Sequence, residues 1–144
     1  MREVLLDANM LIGAFDHDPK NPTHVQARKE LRALLDDPGV LTAITPLVSF
    51  EVLRKPTRVS ADELEAKLKP FHNFPISEKD ACLATKLFRR FSEVEGKPEC
   101  KNLERLSMDI FHCVCAELND LEIISNDSDI PKIQQLIQES TQNA

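Results

Sequence analysis

A short apolar run near the start of the chain, followed at once by an acid, constrains the fold more than any other feature. Val4, Leu5 and Leu6 are consecutive apolar residues. Such a run, without alternation, is typical of a central parallel strand that is buried on both faces. Asp7 then stands at the carboxyl end of the predicted strand. Because ligands of open α/β sheets bind at that edge, we expect Asp7 to face a crevice.

Strand and helix patterns alternate along the rest of the chain. Strands are predicted at 4–6, 40–44, 71–76 and 121–125, and helices at 24–35, 47–55, 60–70, 77–91, 106–118 and 130–137. The polar segment 13–22 is predicted to be a loop, with Thr23 as the cap of the first helix. Alternation implies parallel strands joined by crossover helices. We therefore expect a three-layer α/β/α sandwich with a mainly parallel central sheet of four or five strands.

Length and composition limit the class of protein. A chain of 144 residues fits one domain, so residues 1–144 are predicted to form a single domain with a frayed tail at 139–144. No apolar run approaches the roughly 20 residues of a membrane helix, and no signal segment precedes the first strand, so a cytoplasmic location is expected. None of the four cysteines forms a CxxC pair, which indicates reduced core thiols.

The net charge of −6 argues against a broad positive surface that grips nucleic acid. Nucleic acid stays compatible with this charge if acids bind a divalent metal, because the metal then brings positive charge to the phosphate. A glycine-rich phosphate loop, a Ser-His-Asp order and zinc-ligand spacing are all missing from the sequence.

Two candidate site acids have simple structural alternatives. Asp7, with Asn9 two residues later, is also typical of a turn or a helix cap. Glu51 lies four residues before Lys55 in a predicted helix, so an exposed Glu–Lys pair is the alternative to a site role. Against that alternative, most residues of the helix around Glu51 are apolar, so few polar side chains lie near the acid.

The other acids are harder to explain by local structure alone. Asp109 lies in a helix that is apolar on nearly every side, where an unpaired carboxylate would be costly and needs a metal or a positive side chain. Asp127 and Asp129 follow the last predicted strand. Capping explains Asp129 as well as chemistry does, because Ile130-Pro131 follows it.

Acids from four separated segments of one α/β domain predict an acidic pocket. Clustered carboxylates repel one another and stay ionised only if a cation neutralises them. Oxygen ligands without a His or Cys set favour Mg²⁺ or Mn²⁺ over zinc. Such ions activate water and stabilise charge on a phosphoryl group.

Four motifs, in order, carry a resemblance to a known family. They are Leu5-Leu6-Asp7-Ala8-Asn9, Ser49-Phe50-Glu51-Val52-Leu53-Arg54, Ser107-Met108-Asp109-Ile110-Phe111-His112 and Ser125-Asn126-Asp127-Ser128-Asp129. With them the sequence resembles a PIN-domain nuclease, most closely the toxin of a VapBC-type toxin–antitoxin pair. It departs from that pattern at Ile130, where the family often has Phe, and in a tail that is short for a fifth strand.

The resemblance implies a site and an activity. The implied catalytic metal ligands are Asp7, Glu51, Asp109 and Asp127, with Asp129 beside them and with Asn9 and Ser125 in support. The implied enzyme is a Mg²⁺- or Mn²⁺-dependent endoribonuclease that leaves a 5′-phosphate and a 3′-hydroxyl on its RNA substrate. The implied partners are a cognate antitoxin, which would occupy the acidic cleft with an arginine, and a second copy of the chain in a homodimer, with no membrane.

Three further residues are weaker candidates for contact with substrate. Arg54 and Lys55 are candidates to bind RNA phosphates, and a solvated helix face is the alternative. His112 is a candidate to touch substrate, and a hydrogen-bonded structural histidine is the alternative.

Two other functions remain open from the sequence. One is a catalytically inactive PIN-like module that binds RNA or protein. The other is a phosphatase with Asp7 as its nucleophile, which is less well supported because that chemistry usually wants a second acid at position 9, where the chain has Asn9.

Overall fold

A computed structural model describes residues 1–16, 18–94, 103–125 and 129–142. Within these ranges the chain forms four strands and seven helices. In order they are β1 (Arg2–Leu6), α1 (Ala8–Asp16), α2 (Pro22–Asp36), β2 (Val40–Ile44), α3 (Pro46–Arg54), α4 (Ala61–Leu68), β3 (His72–Asn73), α5 (Glu78–Val94), α6 (Leu103–Leu118), β4 (Glu122–Ile124) and α7 (Ile130–Gln142).

The four strands form one sheet in the order β3-β2-β1-β4, and every neighbouring pair is parallel. This confirms the predicted α/β class and the parallel central sheet, with four strands among the residues described. β1 has a hydrogen-bonded neighbour on both sides. That position explains why Val4, Leu5 and Leu6 are all buried.

The chain divides into two compact units. The first consists of Met1–Pro75 and Glu122–Asn126, and the second of Ile76–Leu121 and Asp127–Ala144. The first unit contains the whole sheet with helices α1 to α4. The second contains α5, α6 and α7, and α6 contacts both of the other two helices. A single domain over residues 1–144 stays a prediction.

The core of the first unit lies on the face of β1 that carries Val4 and Leu6, where residues of α1 and α2 cover the strand. Gly13 allows these two helices to approach closely. A Cβ at this position would lie 3.3 Å from Cδ2 of His24 and 3.4 Å from Cβ of Ala27. A larger residue at position 13 would therefore push α2 away from α1.

Helix α1 corrects the prediction of a loop from residue 13. The helix begins directly after β1 and runs through 13–16, because Ala8, Met10, Leu11 and Ala14 form a buried stripe. The start of α2 also differs from the prediction. Asn21, rather than Thr23, is its cap: Asn21 Oδ1 accepts the N–H groups of Thr23 at 3.0 Å and His24 at 3.4 Å.

In the second unit, a buried acid has a structural role. Asp80 is only 4% exposed and lies in the first turn of α5. Its carboxylate accepts the N–H of Ser77 at 3.0 Å, while the Ser77 hydroxyl accepts the N–H of Asp80 at 3.2 Å. These reciprocal hydrogen bonds satisfy two main-chain N–H groups at the start of α5. They explain why Asp80 is buried without assigning it a role in catalysis or binding.

The cysteines divide by exposure. Cys113 and Cys115 are buried, as predicted, and burial raises the pKa of Cys115, with the nearby charge of Asp80 as a smaller cause. Cys82 is exposed, so its assignment to the core was wrong. Cys100 and the predicted break at 96–98 lie outside the described residues.

Helix α7 continues to Gln142, beyond the predicted end at 137. The predicted fraying at 139–144 stays a prediction. In the part of the chain that the structure describes, no helix combines the length and the apolar character needed to cross a membrane.

We predict that Leu64→Ala lowers the free energy of unfolding by about 2–5 kcal/mol, because it leaves a cavity in a packed core. Leu64 is 1% exposed and belongs to the core of the first unit. The measurement is urea unfolding followed by circular dichroism. Leu35→Ala is the matched control: Leu35 is 51% exposed, so its loss is expected to stay within about 0.5 kcal/mol. Equal losses in the two variants would contradict the assigned core.

Candidate active site

Three neighbouring strands of the first unit end at the same level. The register of β1 with β2 and with β4, continued to the strand ends, brings Asp7 level with Thr45 on one side and with Ser125 on the other. These three polar residues follow directly after their strands. They therefore line the carboxyl edge of the sheet, where α/β proteins bind ligands.

Asp7 is 5% exposed, and its carboxylate accepts a hydrogen bond close to a helix N-terminus. Ser125 Oγ donates a hydrogen bond to Asp7 Oδ2 at 2.7 Å. The carbonyl of Asp7 accepts the N–H of Leu11 at 3.3 Å, so Asp7 also stands at the N-terminus of α1, where the helix dipole favours negative charge. Two predicted site residues, Asp7 and Ser125, are thus brought into direct contact.

Thr45 is a buried polar residue of this edge that the sequence analysis did not single out. Its side chain is 1% exposed, and Oγ1 accepts the N–H of Val48 at 3.3 Å as the cap of α3. The Thr45-Pro46 pair gave the signal for a helix start. Its place beside Asp7 follows from strand register, which the local sequence pattern does not contain.

Glu51 lies on α3 of the same unit and is half-buried. The helix is anchored by Val48 and Val52, which are fully buried, and α3 contacts α1. The half-buried side chain weakens the alternative of a fully solvated Glu–Lys pair. Asn9, in the first turn of α1, has an exposed side chain, and its supporting role stays a prediction.

Cations gather at the C-terminal end of α3. Arg54 and Lys55 are both exposed. The loop that follows is tied to the end of α1, because the N–H of Arg58 donates to Asp16 Oδ1 at 2.8 Å and the Arg58 guanidinium lies 3.4 Å from the Asp18 carboxylate. Arg58 is therefore partly neutralised. Arg54 and Lys55 lie at the end of the helix that carries Glu51.

In the second unit, Asp109 and His112 lie on α6 and are deeply buried. Asp109 is 6% exposed and His112 is 2% exposed. The burial of Asp109 agrees with the expectation from its apolar helix. The burial of His112 favours the structural alternative over contact with substrate.

Asp129 stands directly before α7, and its carbonyl accepts the N–H of Ile133 at 3.1 Å. Its carboxylate lies 3.8 Å from Lys132 Nζ. Asp129 therefore occupies the capping position of α7. Capping was one of the two roles that the sequence allowed for it, and a role in chemistry was the other. Asp127, a predicted catalytic residue, lies outside the described residues.

The sequence matches the PIN domain family over residues 4–136, nearly the whole chain. The chain belongs to the PIN domain family. PIN domains are generally nucleases, and they generally use divalent metal ions. A comparison with curated protein sequences found no significant match.

The acids of this PIN domain fit a divalent metal in their chemistry. Asp7, Glu51 and Asp109 offer only carboxylate oxygens, which hard cations such as Mg²⁺ prefer. Within the described ranges, which leave out Asp127, no group of three or more His, Cys, Asp or Glu side chains is arranged to hold an ion. The role of each acid as a ligand therefore stays a prediction.

We predict that Ser125→Ala lowers the free energy of unfolding by about 1–3 kcal/mol, because a buried carboxylate loses a hydrogen-bond donor. A double-mutant cycle with Asp7→Ala, followed by urea unfolding, isolates the contact. We expect a coupling energy of about 1 kcal/mol or more between the two positions. Additive losses would show that the hydroxyl does not stabilise Asp7.

Proposed function

We propose that this PIN domain is a Mg²⁺- or Mn²⁺-dependent endoribonuclease and the toxin of a toxin–antitoxin pair. The observation that carries the proposal is the Asp7 carboxylate, buried at the carboxyl edge of the sheet and held by Ser125. A carboxylate that is buried and held in one orientation at this edge is suited to bind a ligand. Membership of a nuclease family supplies the reaction class.

Asp7, Glu51, Asp109 and Asp127 are the residues we propose to hold the metal, with Asp129 beside them. Their order in the sequence follows the family motifs, and their oxygen donors suit a hard cation. When bound, a divalent ion supplies Lewis-acid stabilisation to the phosphodiester. Asp109 is buried on α6, and a cation would offset the cost of burying its charge.

The residues of the first unit divide the remaining tasks. Ser125 fixes the orientation of the Asp7 carboxylate through its 2.7 Å hydrogen bond, so the acid meets its ligand without reorganisation. The N-terminus of α1 favours the charge of Asp7. Arg54 and Lys55, which are exposed, bind RNA phosphates near the bond that is cleaved.

The proposed reaction is hydrolysis. A water oxygen forms a new bond to phosphorus, and the bond from phosphorus to the 3′ oxygen breaks. The acid cluster accepts the proton that the water loses, and the departing 3′ oxygen takes up a proton from solvent. The products are a 5′-phosphate and a 3′-hydroxyl.

We predict that the purified protein cleaves single-stranded RNA with Mg²⁺ or Mn²⁺ and that EDTA abolishes the cleavage. Asp7→Asn should reduce the rate by at least about 100-fold, because it removes a carboxylate ligand while keeping its shape. Asp62→Asn is the matched control, since Asp62 is an exposed acid of α4 and should not affect the rate.

Two outcomes would contradict the nuclease proposal. Cleavage that survives EDTA, or an Asp7→Asn variant as active as the parent, would remove the metal site from the mechanism. RNA binding without cleavage, together with no rise in melting temperature on adding Mn²⁺, would favour an inactive binding module. Trapping of a phosphorylated Asp7 would favour the phosphatase.

The toxin role requires a separate test. We predict that expression of the chain alone arrests growth, that Asp7→Asn relieves the arrest, and that a small neighbouring-gene product co-purifies with the chain and blocks cleavage. The proposed antitoxin reaches the acids with an arginine, because a cation can replace the metal's charge there. We also propose a homodimer, to be measured by light scattering. Normal growth with active nuclease would contradict the toxin role alone.

A further inference from the structure

Helix α3 carries an exposed aromatic side chain directly beside Glu51. Phe50 is 53% exposed, and it is the one exposed phenylalanine among the side chains that the structure describes. The other exposed large apolar residues in that part of the chain are Met1, Leu35 and Leu118. The ring is thus left in solvent at the position next to a predicted catalytic acid.

The ring has a cation against it. Cζ of Arg54 lies 5.2 Å from the centroid of the Phe50 ring, within the range of a cation–π contact. The two residues are four positions apart, so they are neighbours on the helix surface. Their contact leaves more than half of Phe50 accessible, and it holds the guanidinium close to the ring.

Helix geometry places Phe50 and Arg54 together, with Glu51 farther around α3. Successive residues of an α-helix are about 100° apart, so Phe50 and Arg54 lie only about 40° apart, and Glu51 lies about 60° beyond Arg54. Lys55 follows directly after the helix and is exposed. The ring and the guanidinium therefore share one side of α3, and Glu51 lies at the edge of that side.

We propose that Phe50 and Arg54 form a stacking platform for one unpaired nucleobase next to the scissile phosphate. The proposal rests on the nuclease function proposed above and adds a residue that sets specificity. Unpaired bases stack on aromatic rings and on guanidinium planes, and nearby cations hold the adjoining phosphates. A base that is paired in a duplex cannot reach the platform, so the subsite selects unpaired positions.

Charge and size favour a nucleotide over a second copy of the chain. Arg54 lies against Phe50 and Lys55 follows it in the chain, and both are exposed cations that suit a phosphate backbone. One ring beside a guanidinium is much smaller than the roughly 800 Å² per partner of a standard protein interface.

The composition of the chain allows a direct test of stacking. Because the protein has no Trp and no Tyr, Phe50→Trp introduces its only strong fluorophore at the platform. The Asp7→Asn background prevents cleavage, and Mg²⁺ is kept present. We expect a short single-stranded oligoadenylate to quench the emission with a saturable titration, and the same sequence in a duplex to leave it unchanged.

Leu35→Trp in the same background is the matched control. Leu35 lies on α2 and is 51% exposed, close to the 53% of Phe50, so its tryptophan reports non-specific quenching. Equal quenching at both positions, or none at position 50, would overturn the platform. In a separate titration of labelled oligoadenylate, Phe50→Ala should weaken binding about tenfold while Phe50→Trp retains it.

Two further outcomes separate this inference from the nuclease proposal. If the parent cleaves RNA but position 50 is not quenched, the platform is wrong and the nuclease stands. If the fluorescence of the Phe50→Trp variant is quenched but the parent never cleaves RNA, the platform is confirmed, the nuclease proposal is wrong, and the protein is an RNA-binding module. A Phe50→Ala variant that changes from dimer to monomer by light scattering, with unchanged RNA affinity, would make Phe50 a subunit contact and overturn the platform.

Discussion

The parallel pairing of β1 on both of its sides is the constraint on which the candidate site depends. Because β2 and β4 run in the same direction as β1, the residues that follow the three strands meet at one edge. That edge receives Asp7, its hydrogen-bond donor Ser125 and the buried Thr45. Helices α1 and α3 both start there, so their N-termini add partial positive charge beside the acid.

In the first unit, the acid at the edge of the sheet is buried, whereas the outer side of α3 is exposed. Asp7 is shielded from water and held in one orientation, which suits a group that must keep a charge and a fixed geometry. The outer side of α3 offers the opposite properties: Phe50, Arg54 and Lys55 are accessible, and two of them are cations in a chain of net charge −6. Glu51 is half-buried and joins the two regions on one helix.

Much of the fold was predictable because it depends on local pattern, and much of the site was not. The apolar run before Asp7 predicted β1 and the place of the acid, and the apolar pattern over 47–55 predicted α3. Helix α1 was missed because Gly13 interrupts its pattern, and only the close packing of α2 explains that glycine. The contact between Ser125 and Asp7 spans 118 positions, so it follows from strand register and not from any local signal. The exposure of Phe50 was equally hidden, because an aromatic residue in an apolar helix usually lies in a core.

The five residues of β1 have a consequence for how such a chain can vary. Successive side chains of a strand point to opposite faces, and Val4 and Leu6 share the face covered by α1 and α2. Inserting or deleting one residue between Arg2 and Asp7 would turn this face over and move the acid out of reach of Ser125. Exchanges among Val, Ile and Leu would leave both the face and the acid in place. The number of residues in this segment, more than their identity, therefore restricts its evolution.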